Sequence, residues 1–257
     1  MLDTYTEVDL HYYICVSLLV CAPFTAIALL TGAKAPYGRY ANDMSLGPTI
    51  PGRVDWFFHS TSLMALARAV QRGGPHVGNP ANIVLMGCFG LHYCWRSFVF
   101  PFLLKAPKPC SIVLLCMTSG FCLLNGWLQS RALCAYDDVG SALSPRFASG
   151  VLLFLFGWYT NITSDLALTR LRKPGETGYK IPRGGLFEYV SGANFLGEIL
   201  EWSGFSLASG CTLATFTFAA FTLCNIGPRA VAHHKNYLEK FGDRYPKERR
   251  ALIPFVY

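Results

Sequence analysis

Residues 172–205 read RKPGETGYKIPRGGLFEYVSGANFLGEILEWSGF, and this stretch decides the fold. Its second half is apolar with a helical rhythm, yet it carries Asn194, Glu198 and Glu201. Their spacing of i, i+4 and i+7 puts all three on one helical face, and Ser191 extends that stripe. A carboxylate at mid-bilayer costs at least about 2.5 kcal/mol. Two on one face therefore require a polar cavity or a partner; the alternative is a short interfacial helix with wetted glutamates. The small residues Gly192, Ala193 and Gly197 suit close approach of a helix or a ligand.

Composition sets the surroundings of this segment. Of 257 residues, 52% are hydrophobic and 14% charged, against about 25% charged in soluble domains. With a mean hydropathy of +0.33, the chain reads as a membrane protein. Length allows one or two domains; without a linker, repeat or low-complexity stretch, residues 1–257 read as a single domain. The first apolar run, Tyr12–Leu30, is too long for a signal-peptide core. Acidic residues Asp3, Glu7 and Asp9 precede it, so it reads as a retained membrane helix. The ten cysteines form no CxxC pair and sit almost entirely in apolar runs. They read as buried thiols, with no disulfide framework and no metal site.

A helix needs about 20 apolar residues to cross a bilayer. Candidate spans run over roughly 12–31, 55–70, 81–104, 111–134, 147–169, 186–203 and 206–228, giving an all-α membrane protein of seven transmembrane helices. The second and sixth are the most polar. With the N-terminus outside or lumenal, the cytoplasmic loops hold Lys34, Arg39, Arg53, Lys105, Lys108, Arg170, Arg172, Lys173, Lys180 and Arg183. The cytoplasmic tail adds Arg229, Lys235, Lys240, Arg244, Lys247, Arg249 and Arg250. The positive-inside rule fits this arrangement, and an even number of spans would scramble it. It also explains the net charge of +7. Nucleic-acid binding lacks a basic patch interleaved with aromatics, or any known module.

Three further constellations bear on chemistry. Asn161 and Asp165 close the fifth span, with Arg172 seven residues on, where a guanidinium suits phosphate. A helix-end ion pair is the plainer reading. Arg229, His233 and Tyr237 repeat every four residues beside His234, Lys235 and Lys240. They form either a phosphate-binding wall or a basic helix lying on headgroups. His92, Tyr93 and Arg96 sit inside the apolar third span. Arg96 needs a partner there, and Tyr93 offers either a packing ring or a phenol able to donate to a carbonyl. No GxGxxG follows a strand, and GxSxG, HExxH and P-loop patterns are absent. Any dinucleotide is therefore expected inside the helical bundle.

The second half resembles the steroid 5-alpha-reductase family in NITSDLALTRLRKPGE, GYKIPRGGLFEYVSGANFLGEILEWSGF and HHKNYLEKFGDRYPKERRALIPFVY. The first half does so more sparsely, in PYGRY, the helix of Trp56, LHYCWRSFVFP and NGWLQ. The likeness spans roughly residues 35–257, with its motifs in the family order. It implies a seven-helix fold, NADPH as hydride donor, and reduction of the delta-4,5 double bond of a 3-oxo steroid. By position, Asn161, Asp165, Arg172, Tyr179, Asn194 and Glu198 match the family's NADPH-binding residues. Arg229, His233, Tyr237 and Arg249 match its C-terminal cofactor wall, with Tyr37 and Trp202 as lesser contributors. Tyr93 matches the tyrosine that hydrogen-bonds the substrate's 3-keto oxygen. The helices within 12–134 would serve mainly the substrate, and residues 147–257 mainly NADPH.

One position departs from the family. The glutamate expected four residues after Trp56 is replaced by Ser60, with His59 before it. A serine hydroxyl or a histidine ring can donate a hydrogen bond, so Ser60 and His59 join Tyr93 as candidate catalytic residues. They would stabilise the enolate oxygen that forms as hydride adds to the enone. The expected setting is a multi-pass membrane, endoplasmic reticulum in a eukaryote or inner membrane in a bacterium, with a monomer taking a steroid or other lipid enone from the bilayer. Alternatives are an enoyl-thioester or sterol reductase, a membrane methyltransferase, and a binding protein without turnover.

Overall fold

The computed structural model describes residues 6–33, 47–105, 108–171 and 178–256. Helix α1 spans Glu7–Leu30, capped by Thr6, whose side chain accepts from the Asp9 amide while Asp9 reaches back to the Thr6 amide. A two-residue antiparallel pairing joins β1, Thr49–Ile50, to β2, Cys110–Ser111. Helices α2, Gly52–Phe58, and α3, Thr61–Arg72, follow. Next come α4, Pro80–Cys94, a π-helical turn over Trp95–Val99, and α5, Phe100–Leu103. Helix α6, Ile112–Arg131, runs into a second π turn, Ala132–Tyr136. Then come α7, Pro145–Arg170, α8, Ala193–Ser209, and α9, Leu213–Phe241.

Four described helical stretches are long and apolar enough to cross a membrane: Glu7–Leu30, Pro80–Leu103, Ile112–Tyr136 and Pro145–Arg170. The other three expected spans are also helical but are cut differently. The second is interrupted at His59 and Ser60, between α2 and α3. The sixth does not begin at residue 186. Gly184 and Gly185 take positive φ, a 3-10 turn covers Gly185–Glu188, and the helix starts only at Ala193. It then continues past 203 until Gly210 adopts the left-handed conformation that ends it. The last helix runs on to Phe241. Ser191 thus precedes α8 instead of extending its polar stripe.

Glycines set the distance between α7 and α8. A Cβ on Gly157 would overlap the backbone at Glu201, and one on Gly197 the backbone at Asn161. Gly150 meets Ala208, and Gly204 meets Phe154, in the same way. Each helix repeats its glycine after seven residues, two turns along one face. Close backbone approach of this kind is how apolar helices gain van der Waals contact where lipid offers no hydrophobic drive. It also holds the polar residues of the two helices within reach of each other. Around this seam lies a core of Phe89, Tyr93, Phe154, Trp202, Phe205 and Phe218. Helix α1 packs on α6 and α9 through Cys15, Leu128, Ala132 and Ala214. Val20, Phe24 and Ile27 on α1 are exposed, as a lipid-facing surface requires.

Candidate active site

The stripe on α8 faces α7 on one side and the end of α4 on the other. Arg96, in the π turn, joins them. Its Nη1 donates to Asp165 Oδ2 at 2.8 Å, and its Nη2 donates to Glu198 Oε2 at 2.8 Å and to Asn161 Oδ1 at 3.1 Å. Asn194 Nδ2 donates to Asp165 Oδ1 at 3.1 Å, and Asn161 Nδ2 donates to the Asn194 carbonyl at 2.8 Å. Five polar residues from three helical segments thus close one network. Arg96 and Asp165 are buried, at 7% and 5% exposure. Ions so placed persist only when paired and hydrogen-bonded. The π turn widens the helix by one residue and lies where Arg96 makes these contacts.

A second pair lies alongside. His92 Nδ1 and Glu201 Oε1 are 2.7 Å apart, and Glu201 is fully buried. Among the described residues, Glu201 Oε2 has no hydrogen-bond partner, nor has the buried indole Nε1 of Trp202. Trp202 itself packs on Phe89, His92 and Phe218, with ring centroids 6.1, 4.7 and 4.4 Å away. Orphaned polar atoms at the edge of a buried cluster fit a polar ligand that completes them.

The segment WFFHS covers Arg96 from the second span. The guanidinium carbon lies 5.5 Å from the Trp56 ring centre and 5.4 Å from that of Phe100. His59 packs on Trp56 with ring centroids 5.0 Å apart, and its Nδ1 is 3.2 Å from the Trp56 carbonyl. A carbonyl only accepts, so Nδ1 carries the proton and the neutral ring presents Nε2 as an acceptor. Ser60 is half-buried and its hydroxyl caps nothing in α3. Tyr93, 5% exposed, accepts from Asn125 Nδ2 at 3.3 Å. Among the described residues no hydrogen bond joins His59 or Ser60 to Tyr93.

The C-terminal group forms a separate wall. Arg229 and His233 sit on Phe195, at 5.2 Å each. Tyr237 stacks on Tyr245 at 5.4 Å, and the Arg249 guanidinium covers Tyr245 at 5.2 Å. Arg249 is 1% exposed; Nη1 donates to the Pro182 carbonyl at 3.1 Å, Nη2 lies 3.7 Å from Glu188 Oε2, and Nε has no partner among the described residues. Lys240 stands over the Tyr179 ring at 3.6 Å. The tail is fastened to the segment ahead of α8. Ser191 N donates to the Arg250 carbonyl at 2.8 Å, Gly192 N to Ala251 at 3.0 Å, and Arg250 N to Tyr189 at 2.9 Å. Ser191 Oγ adds contacts to His234 Nδ1 at 2.6 Å and Tyr245 Oη at 2.7 Å. Tyr37 and Arg172 lie outside the described residues.

Sequence reasoning singled out Arg96, His92, Glu201 and Ser191 as polar residues beside or within apolar segments without assigning them a site role, and gave Asn125 and Gln129 none. Arg96 carried its own signal, a guanidinium inside an apolar run. Asn125 and Gln129 carried a weaker one, two amides one turn apart in another such run.

Comparison with known proteins covers nearly the whole chain. The family model described as 3-oxo-5-alpha-steroid 4-dehydrogenase matches residues 108–257. The chain is 46% identical to 3-oxo-5-alpha-steroid 4-dehydrogenase 1 of Mus musculus over 237 residues, 91% of this chain and 92% of that protein. It is 44% identical to the Bos taurus protein of the same name over 258 residues, 96% and 95% of the two. It is 43% identical to 3-oxo-5-alpha-steroid 4-dehydrogenase 2 of Homo sapiens over 236 residues, 90% and 92%.

Proposed function

The chain belongs to the 3-oxo-5-alpha-steroid 4-dehydrogenase family of oxidoreductases acting on CH–CH bonds, and from that premise we propose that it reduces the delta-4,5 double bond of a 3-oxo steroid with NADPH. When bound, the reduced nicotinamide supplies the hydride that adds to the beta carbon of the enone. The protein's work is then to bind, to orient, to exclude water and to manage charge on the distant oxygen.

The observation that carries this reading is the buried network of Arg96, Asn161, Asp165, Asn194 and Glu198, set beside a phenol. Asn161, Asp165, Asn194, Glu198 and Trp202 would hold the cofactor's polar head, together with Tyr37 and Arg172. Arg229, His233, Tyr237, Arg249 and Tyr179 would hold its phosphates, for which buried guanidinium donors are suited. Arg249, with Nε unpaired, fits that role. Residues 147–257 would thus serve NADPH, and the helices within 12–134 the substrate.

Tyr93 is the donor we assign to the 3-keto oxygen. A preformed donor in a dry site lowers the energy of the enolate as it forms. Ser60 stands where the family glutamate is expected and can donate once. His59 donates through Nε2 only when its ring is protonated. This substitution supports one second reading, reduction of another lipid enone, since the keto-binding corner lacks its carboxyl. We read the chain as crossing the membrane seven times with a cytoplasmic tail, and as working as a monomer.

The test is NADPH oxidation by the detergent-purified protein with and without progesterone or testosterone, with the product weighed. A steroid-dependent gain of two hydrogens is expected. NADPH binding without steroid reduction would overturn the substrate assignment.

A further inference from the structure

Two buried amides in α6 have no part in the machinery above. Asn125 and Gln129 are 2% and 1% exposed, where apolar side chains would avoid the cost of desolvation. Gln129 Nε2 donates to the Ala214 carbonyl at 3.0 Å and to Asn125 Oδ1 at 3.1 Å. The backbone carbonyl can only accept, so it fixes which end of Gln129 is the amino group. That donation in turn occupies the Asn125 oxygen. The Asn125 amino group, which has no acceptor capacity, therefore faces the Tyr93 hydroxyl.

The consequence falls on the phenol. Tyr93 Oη must accept from Asn125, and its own proton must point elsewhere. Ser62, beside it, has committed its proton to the Cys122 carbonyl at 2.7 Å, so its oxygen accepts the phenolic proton until a substrate carbonyl replaces it. The titratable groups around the phenol are His92 on its own helix, Cys122 on α6 and Glu198 on α8, with Glu201 behind His92.

We propose that Asn125 and Gln129 are positioning residues that fix the direction of the Tyr93 hydrogen bond. The relay runs from Gln129 to Asn125 to Tyr93 and keeps the phenolic proton off the amide, so that it can pass from Ser62 to an acceptor on the substrate. It rests on the reading of Tyr93 as donor to the enone carbonyl. An oxygen that accepts from Asn125 also carries negative charge more readily, which helps as the substrate oxygen draws on the phenolic proton. The relay favours a ligand presenting a carbonyl lone pair at this point.

The experiment uses the full-length protein in detergent, with NADPH affinity as the check on folding. Asn125→Leu is expected to lower kcat for steroid reduction about 10- to 100-fold and to leave NADPH affinity unchanged. In a Tyr93→Phe background the same change should add little. Asn125→Asp gives the sharper result. Protonated, its carboxyl still donates to Tyr93; ionised, it only accepts and pulls the phenolic proton away from the substrate. Turnover of Asn125→Asp should therefore persist at low pH and fall as pH rises, a limb absent from wild type and from Asn125→Leu. Should Asn125→Leu fail to fold, Gln129→Leu tests the same relay through the same kcat and NADPH measurements. Unchanged kcat, full additivity with Tyr93→Phe, or a flat pH profile for Asn125→Asp overturns the relay while wild type remains active. A wild type that binds NADPH and reduces no enone overturns the function itself, and the relay with it.

Discussion

Gly197 of α8 lies against the backbone of Asn161 on α7, with no room for a methyl group between them. The contact brings Asn161 Nδ2 to the Asn194 carbonyl and leaves its Oδ1 for Arg96. Gly197→Ala should push the two helices apart. Overpacking of this kind costs about 1–3 kcal/mol. The expected outcome is a lower melting temperature in detergent together with weaker NADPH binding, measured on the same preparation. A variant with both properties intact would show that the seam tolerates a methyl group.

Among the described residues, Arg96 is the guanidinium shared by Asp165 and Glu198. Arg96→Leu leaves buried carboxylates without their cation, a change that costs about 3–5 kcal/mol. Purified yield and thermal stability should both drop well below those of a surface arginine variant such as Arg183→Leu. Equal stability of the two variants would mean that the carboxylates find other partners.

Glu198 is the most accessible acid of the α8 stripe. Glu198→Ala should weaken NADPH binding about tenfold, or about 1.4 kcal/mol, as read by quenching of protein fluorescence on titration. Unchanged affinity would remove it from the cofactor site.

Tyr93→Phe removes one hydroxyl and little volume. Turnover should fall about 10²–10³-fold, the usual effect of losing one donor to a developing oxyanion, while NADPH affinity stays within a factor of about two. An equally active variant would exclude the phenol from the reaction.

Ser60→Glu restores the carboxyl expected beside the keto oxygen. A correctly placed general acid is worth about 10²–10⁴-fold, so turnover of a 3-oxo steroid should rise by about tenfold or more. A fall would show that the pocket around His59 and Ser60 has been reshaped for another enone.

Much of this site was legible because charge inside apolar sequence has few innocent explanations. Asn194 and Glu198 stood out on that ground, Asn161 and Asp165 through the family resemblance, and hydrogen bonds join all four. The helix boundaries were less legible. No charge or proline interrupts residues 203–210, and only the left-handed turn at Gly210 ends α8. The stripe was read as starting at Ser191, but the backbone there pairs with the tail at Arg250, a contact between segments far apart in sequence. The role of Arg96 was visible as a need, and its partners were not, because they come from α7 and α8. The same holds for Asn125, whose direction toward Tyr93 depends on the Ala214 carbonyl at the start of another helix.

The tail that bears Arg249 is hydrogen-bonded to residues 189–192, yet it is made after the four described helical stretches long and apolar enough to cross a membrane. A nascent chain that has made those helices still lacks this wall until the tail has been made and has docked. On the proposed reading, cofactor capture follows the docking of this tail, and until then the earlier helices are in place but idle.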